Sequence, residues 1–240
     1  MRRTLALLLL ALPASAQDRR SGFEDMARET QAMQRDDMQN PGMLWVAEGE
    51  ERFNRDCTSC HTEASMRGVA ARYPAWDEAT GAPIDLAGRI SACVERHQRA
   101  TPPARESQAL LALTAYVAHQ SRGLPISRPT DPRLAPALAQ GRALYGERRG
   151  QLDLSCVQCH DDNAGRRLAG SVIPQAHPTG YPLYRLEWQG LGSLQRRLRG
   201  CMTGVRSEPF AYGAAEYVAL EIFLNDRAAG MAIETPAVRP

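Results

Sequence analysis

Two stretches of the chain carry apolar residues at helical spacing. Leu110, Leu113 and Val117 recur at steps of three and four within Glu106 to His119, and Tyr217, Leu220 and Leu224 do so within Ala214 to Asn225. Both patterns predict amphipathic helices. Each is the last member of a series that occurs twice. GEERF, CTSCH, LAGRISAC and ALLALTAYVAHQSRGLPI follow one another in the first half; GRALY, CVQCH, LQRRLRGC and EYVALEIFLNDRAAGMAI follow in the same order in the second. Such self-similarity predicts an internal duplication. Each half is expected to hold a helix before its cysteine motif, as in Gly141 to Tyr145, a helix around a late cysteine and a closing helix. The expected class is all-α, with two tandem small domains. Between them, SRGLPISRPTDPRLAP (Ser121 to Pro136) is rich in proline and reads as a linker or surface crossing. The boundary falls near Thr130, giving units at 44–130 and 131–240. Residues 17–43 are polar and methionine-bearing, and are expected to wrap the domain or a partner.

The start of the chain, MRRTLALLLLALPASA, has a different pattern. Arg2 and Arg3 precede an apolar run from Leu5 to Leu12, and Ala14-Ser15-Ala16 supplies small residues for cleavage. Residues 1–16 therefore predict a secretory signal peptide, too short to span a bilayer. No later run reaches the roughly 18 apolar residues of a membrane span, so a soluble periplasmic protein is expected. Removing the leader takes the formal charge from +2 to 0. Neutrality gives no support to nucleic-acid binding. Every basic residue apart from histidine is arginine.

Export changes how the six cysteines are read, because secreted proteins usually pair them. The spacing argues otherwise. Cys57-Thr58-Ser59-Cys60-His61 and Cys156-Val157-Gln158-Cys159-His160 are both Cys-x-x-Cys-His, the attachment motif of c-type haem. The thiols bond the macrocycle and the adjacent histidine, His61 or His160, reaches the iron. Two covalent haems are thus expected, in two cytochrome c-like domains. A macrocycle serving as core explains how such small units hold together without disulfides.

The other two cysteines, Cys93 and Cys201, occupy matching places. Each has a leucine seven residues before it (Leu86, Leu194) and an arginine four before it (Arg89, Arg197). Small c-type cytochromes commonly use methionine as the second axial ligand. Met202 is the methionine well placed after the second motif, whereas Met66 lies only five residues from His61. The residue type shared at matching positions is cysteine, which favours His61/Cys93 and His160/Cys201 ligation. On a helix, Met202 would point about 100° away from Cys201. Competing readings are a Cys93–Cys201 disulfide, two inert buried thiols, or His97 as ligand to the first iron. Trp76 and Trp188 are expected to pack on the haems. His119 and His177 are expected at the surface or in satisfied packing.

Cys201 lies among Arg196, Arg197, Arg199 and Arg206. Arg197 shares its helical face. Positive charge favours thiolate over thiol, and a guanidinium grips an oxyanion with two parallel hydrogen bonds. The cluster suits a small sulfur oxyanion beside a redox-active sulfur. The plainer reading is a haem-propionate clamp or a solvated helix face, which Arg89 in the first half supports for Arg197.

With both haem motifs, both late cysteines and the segment RRLRGCMTGVRSEPFAYG followed by EYVALEIFL, the chain resembles the SoxA family over nearly its whole mature length. Those proteins are the dihaem subunits of the SoxAX complex of bacterial sulfur oxidation. The resemblance implies an L-cysteine S-thiosulfotransferase. Thiosulfate would be joined oxidatively to a cysteine of the carrier SoxYZ, with the monohaem cytochrome SoxX completing the enzyme and a cytochrome c accepting electrons. It implies that Cys201 is the catalytic cysteine, carrying a persulfide, and that Arg197 binds substrate. The alternative is a dihaem electron-transfer cytochrome with no active site of its own.

Overall fold

The computed structural model describes residues 18–240; the expected signal peptide at 1–16 lies outside them. Nine α-helices and three small sheets are present among the described residues. Helix α1 (Arg28–Arg35) is followed by α2 (Met43–Asp56), a short α3 (Glu63–Met66) and a hairpin of β1 (Ala75–Asp77) and β2 (Ala82–Ile84). Helices α4 (Leu86–His97) and α5 (Gln108–His119) complete the first half. In the second, α6 (Ala135–Gly146) and α7 (Cys156–His160) precede a hairpin of β3 (Arg167–Leu168) and β4 (Ser171–Val172). A further hairpin, β5 (Leu183–Arg185) with β6 (Gly190–Gly192), leads into α8 (Leu194–Gly204) and α9 (Ala215–Arg227). Strand β7 (Val238–Arg239) runs parallel to β5 and closes a three-stranded sheet.

The cytochrome c-like helical layout is as expected; the sheets are not. Strands of two or three residues are too short to display an alternating pattern, so the sequence read as wholly helical. The closing helices also differ from expectation. They are more enclosed than amphipathic spacing implies: every residue from Leu110 to Ala118 is buried, and so are Tyr217 to Leu220 and Ile222 to Leu224. A helix apolar all round belongs in a core.

Each closing helix crosses an earlier helix at a glycine. A Cβ on Gly49 of α2 would overlap the Ala112 carbonyl of α5, and one on Gly141 of α6 would overlap the Ala219 carbonyl of α9. Hydrogen at these positions lets the two backbones touch. Phe53 and Tyr116 stack beside the first crossing, with centroids 5.1 Å apart; Tyr145 and Phe223 do so beside the second, at 5.2 Å.

The halves interlock. Trp45 of α2 meets Tyr184 of β5 edge to face at 5.8 Å. Trp76 packs on Leu134, Val218 and Ile222 under the Arg133 guanidinium. The crossing segment is clamped by the C-terminal region, with Ile126 N–H donating to the Met231 carbonyl at 2.9 Å and Gly230 N–H to the Ile126 carbonyl at 2.8 Å. The N-terminal extension lies along the last residues of the chain. Asn40 Nδ2 donates to the Pro236 carbonyl at 2.8 Å, and Val238 N–H to Gln34 Oε1 at 3.0 Å.

Candidate functional site

The first Cys-x-x-Cys-His motif begins where α2 ends. Cys57 is the C-cap, its N–H bonded to the Phe53 carbonyl, and the His61 N–H turns back to the Cys57 carbonyl at 2.9 Å. The second motif is α7 itself. Ser155 caps it, accepting from Gln158 N–H while the Gln158 side chain accepts from Ser155 N–H. This capping box fixes the turn on which both thiols and His160 stand.

Two cavities adjoin these turns. The first, of about 890 Å³, is walled by Cys57, His61, Met66, Arg89, Cys93 and His97. The second, of about 570 Å³, is walled by His160, Cys201, Arg197, Arg185, Tyr181 and Met26, among others. In each, the motif histidine and the late cysteine share one chamber large enough for a flat macrocycle. His160 Nδ1 lies 2.7 Å from the Pro174 carbonyl. A carbonyl only accepts, so Nδ1 carries the proton and Nε2 is the nitrogen available to a metal. The six cysteines are all unpaired, which removes the Cys93–Cys201 disulfide. Cys60 is exposed and the other five are half-buried.

The two late cysteines differ electrostatically. Burial pushes the Cys93 thiol up, Cys60 adds to this, and Arg89 offsets little. Burial would push Cys201 up as well, yet the His160 ring beside it and the charges of Arg197 and Arg185 hold it below the ordinary value. The thiolate form is thus favoured at Cys201 over Cys93. Desolvation raises Cys57, Cys159 and above all Cys156, which is pushed up to about 11.

The arginine cluster comes apart in three dimensions. Arg196 stacks on Trp188, 4.3 Å from its ring centroid. Arg199 lies over Tyr212 and bonds the Phe210 carbonyl. Arg206 is exposed and reaches Gln151 at 3.4 Å. Only Arg197 of that run faces the second cavity. Three other arginines join it there, from segments that sequence reasoning passed over. Arg167 donates to the Gly170 carbonyl at 3.3 Å. Arg185 is held by the Pro240 carbonyl at 2.8 Å and by Glu187 at 3.0 Å. Arg239 is paired with Glu234 and Gln34. Arg197 alone of the four has a guanidinium with neither a hydrogen-bond nor an ion-pair partner among the described residues. Its counterpart Arg89 is tied to buried Asp77 at 2.9 Å and to the Tyr73 hydroxyl at 3.2 Å.

Other expectations are adjusted. Met202 turns its sulfur to the Tyr217 hydroxyl at 3.4 Å, in the apolar cluster on α9 and away from the cavity. Trp76 and Trp188 wall neither haem-sized cavity; both serve as platforms for arginines in the strand regions. His177, expected at the surface or in ordinary packing, walls the second cavity and bonds the Arg20 carbonyl at 2.8 Å. His119 has a buried Nε2 without a partner. The only signal for Arg185 and Arg239 was their arginine type. Neither lies near a cysteine in sequence.

Among the described residues no helix is long and apolar enough to cross a membrane. The family model for the SoxA/TsdA cytochrome c domain matches residues 42–126 and 140–233. The L-cysteine S-thiosulfotransferase subunit SoxA of Pseudaminobacter salicylatoxidans is 35% identical over 229 residues, covering 91% of this chain and 80% of that protein. The protein of the same name from Paracoccus pantotrophus is 32% identical, with 91% and 78% covered. The crystal structure of SoxXA from P. pantotrophus superposes with a TM-score of 0.89 at 32% identity, over 92% of this chain and 87% of that one. With both cysteine motifs, both cavities and this likeness over nearly its full length, the chain belongs to the SoxA/TsdA cytochrome c family.

Proposed function

We propose that this chain is the haem-bearing subunit of a periplasmic L-cysteine S-thiosulfotransferase. It joins thiosulfate to a cysteine of a SoxYZ-type carrier, in complex with a SoxX-type monohaem cytochrome. The observation that carries this reading is Arg197, an unpartnered guanidinium beside a cysteine whose thiolate is stabilised, in a cavity that also presents a motif histidine. Cys57 and Cys60 would hold one haem and Cys156 and Cys159 a second, with His61 and Cys93, and His160 and Cys201, as the residues that would ligate the two irons. The haems supply one-electron acceptance. Forming an S–S bond between thiosulfate and a thiol releases one proton and two electrons, which pass on to a cytochrome c.

The chain's own residues do the rest. Arg197 grips the sulfonate oxygens with paired hydrogen bonds. Arg185 adds charge to the same cavity while its own hydrogen bonds keep it in place. Cys201, bearing an additional sulfur as a persulfide, presents the reactive atom to substrate. In the first cavity the arginine that matches Arg197, Arg89, is tied to Asp77, which suits relay or support there. The same order of helix, motif, hairpin, cysteine helix and closing helix in 44–130 and 131–240 supports an internal duplication with its boundary near Thr130. A pure electron-transfer cytochrome is the weaker reading, since it calls for Met202 or another neutral ligand on the second iron and Met202 turns its sulfur to Tyr217 instead.

Replacement of Cys201 by Ala tests the assignment. It should leave both haems covalently attached by mass spectrometry and abolish thiosulfate-dependent modification of the carrier. Retained turnover would reject the role.

A further inference from the structure

Between the two haem-sized cavities lies a third, smaller chamber of about 120 Å³, walled by Asp85, Arg105, Thr114, Thr179, Gln195 and Glu221 among others. It is large enough for ordered water. It shares walls with both neighbours: Tyr73 and Leu86 also border the first cavity, and Tyr181 and Leu194 the second. Leu86 and Leu194 each stand seven residues before a late cysteine. The chamber therefore sits on the seam and touches the start of both cysteine helices.

Its chemistry is acidic and incompletely satisfied. Gln195 Nε2 donates to Asp85 Oδ2 at 2.7 Å and to Glu221 Oε1 at 2.8 Å, drawing a carboxyl from each half onto one nitrogen. Asp85, at the N-cap of α4, is further paired with Arg105. Glu221, on α9, has no ion-pair partner of its own among the described residues. The charged groups facing it are Asp85 from the cap of α4 and Arg105 and Glu106 from the segment before α5; Gln195 is what α8 presents. Thr179 is 2% exposed, and its buried hydroxyl has no partner, which an internal water would satisfy. On α5, Thr114 turns its own hydroxyl back to the Leu110 carbonyl at 2.7 Å, so it does not serve the acids.

We propose that this seam chamber is a proton-exchange site: Glu221, beside Asp85 and internal water, takes up a proton when an electron arrives in either flanking cavity and releases it when the electron leaves. The inference rests on the haem reading above. The balance is one proton and one electron entering together, Glu221 passing from carboxylate to carboxylic acid as one haem charge falls by one. The source is the coupling reaction itself, which frees a proton from the carrier thiol along with its electrons. Burial and the neighbouring Asp85 charge push Glu221 up to about 8, so the exchange operates in the mildly alkaline range, where the carboxylate is present to take up the proton. A charge change across either shared wall acts at short range in a poorly screened interior.

The test uses the haem-loaded SoxX-type complex. Covalent haem on both motifs is first counted by intact mass; its absence would reject the haem reading rather than this one. Midpoint potentials are then measured across neutral and mildly alkaline pH for wild type and Glu221→Gln. The amide keeps an acceptor for Gln195 while removing the titration. In wild type the potential should fall with pH, approaching about 59 mV per unit for one proton per electron, the equivalent of a tenfold change in proton activity. In the variant the slope over that window should be lost. Equal slopes in the two proteins would overturn the proposal. Redox-difference infrared spectra of wild type alone give a second readout that requires no variant to fold. A protonated-carboxyl C=O band should grow on reduction and shift in heavy water, and a spectrum with no such band would also overturn it.

Discussion

Arg89 and Arg197 each stand four residues before a cysteine, and their surroundings give them opposite tasks. Arg89 is consumed by Asp77, which also takes a bidentate pair from Arg96 at 3.0 and 2.8 Å. The Arg96 hydrogen bond, with help from Arg89, holds the Asp77 carboxyl far below the usual range. Its contribution to stability is present above the ordinary carboxylate value and is lost as pH falls toward the depressed one. Asp77→Asn should therefore flatten acid unfolding as followed by circular dichroism. Arg197 has no such partner and is available to an anion. Arg197→Ala should lower thiosulfate use by about 10²-fold, on the scale of roughly 2–3 kcal/mol for a charged hydrogen-bond partner, while haem content by absorbance stays unchanged. An unaltered rate would move the assignment to Arg185. At this scale the sequence was legible wherever chemistry is written in spacing: both attachment motifs and both late cysteines. It was mute on Arg185, Arg239 and Tyr181, which reach the cavity by strand pairing and a tail that returns from the far end of the chain. It also could not separate Arg197 from Arg196, Arg199 and Arg206, because only the packing around Trp188, Tyr212 and Phe210 does so.

At the scale of elements, the two helix crossings depend on absent side chains. Gly49→Ala or Gly141→Ala forces a methyl group into a carbonyl of the partner helix. Each should cost about 1–3 kcal/mol, the usual range for overpacking, read as a lowered urea midpoint. Gly200→Ala on the exposed side of α8, where nothing lies within 4 Å of the added carbon, should be neutral or slightly stabilising. The helices were legible because their apolar period persists over three turns. That Leu110 to Ala118 is enclosed on every side was not, since a stripe of leucines does not reveal how many neighbours surround it. The short strands left no periodic trace at all, and the tryptophans assigned to haem packing lie in just those segments.

For the whole molecule, the seam between the halves sets a pH dependence of stability. Glu221 is pushed up to about 8 from an ordinary 4.5. Through that interval the folded protein retains a proton that the unfolded chain has released, so stability falls as pH rises across it. Thermal melts should drop from about pH 5 to about pH 8 in wild type, and Glu221→Gln should remove that part of the slope. Equal slopes would place Glu221 in contact with bulk water.

Residues 20 to 40 are tied to residues 234 to 239, so one lip of the Cys201 cavity is assembled from opposite ends of the polypeptide. Closing that edge joins segments about two hundred residues apart in the chain, so trimming either one should uncover His160 and Cys201 to solvent.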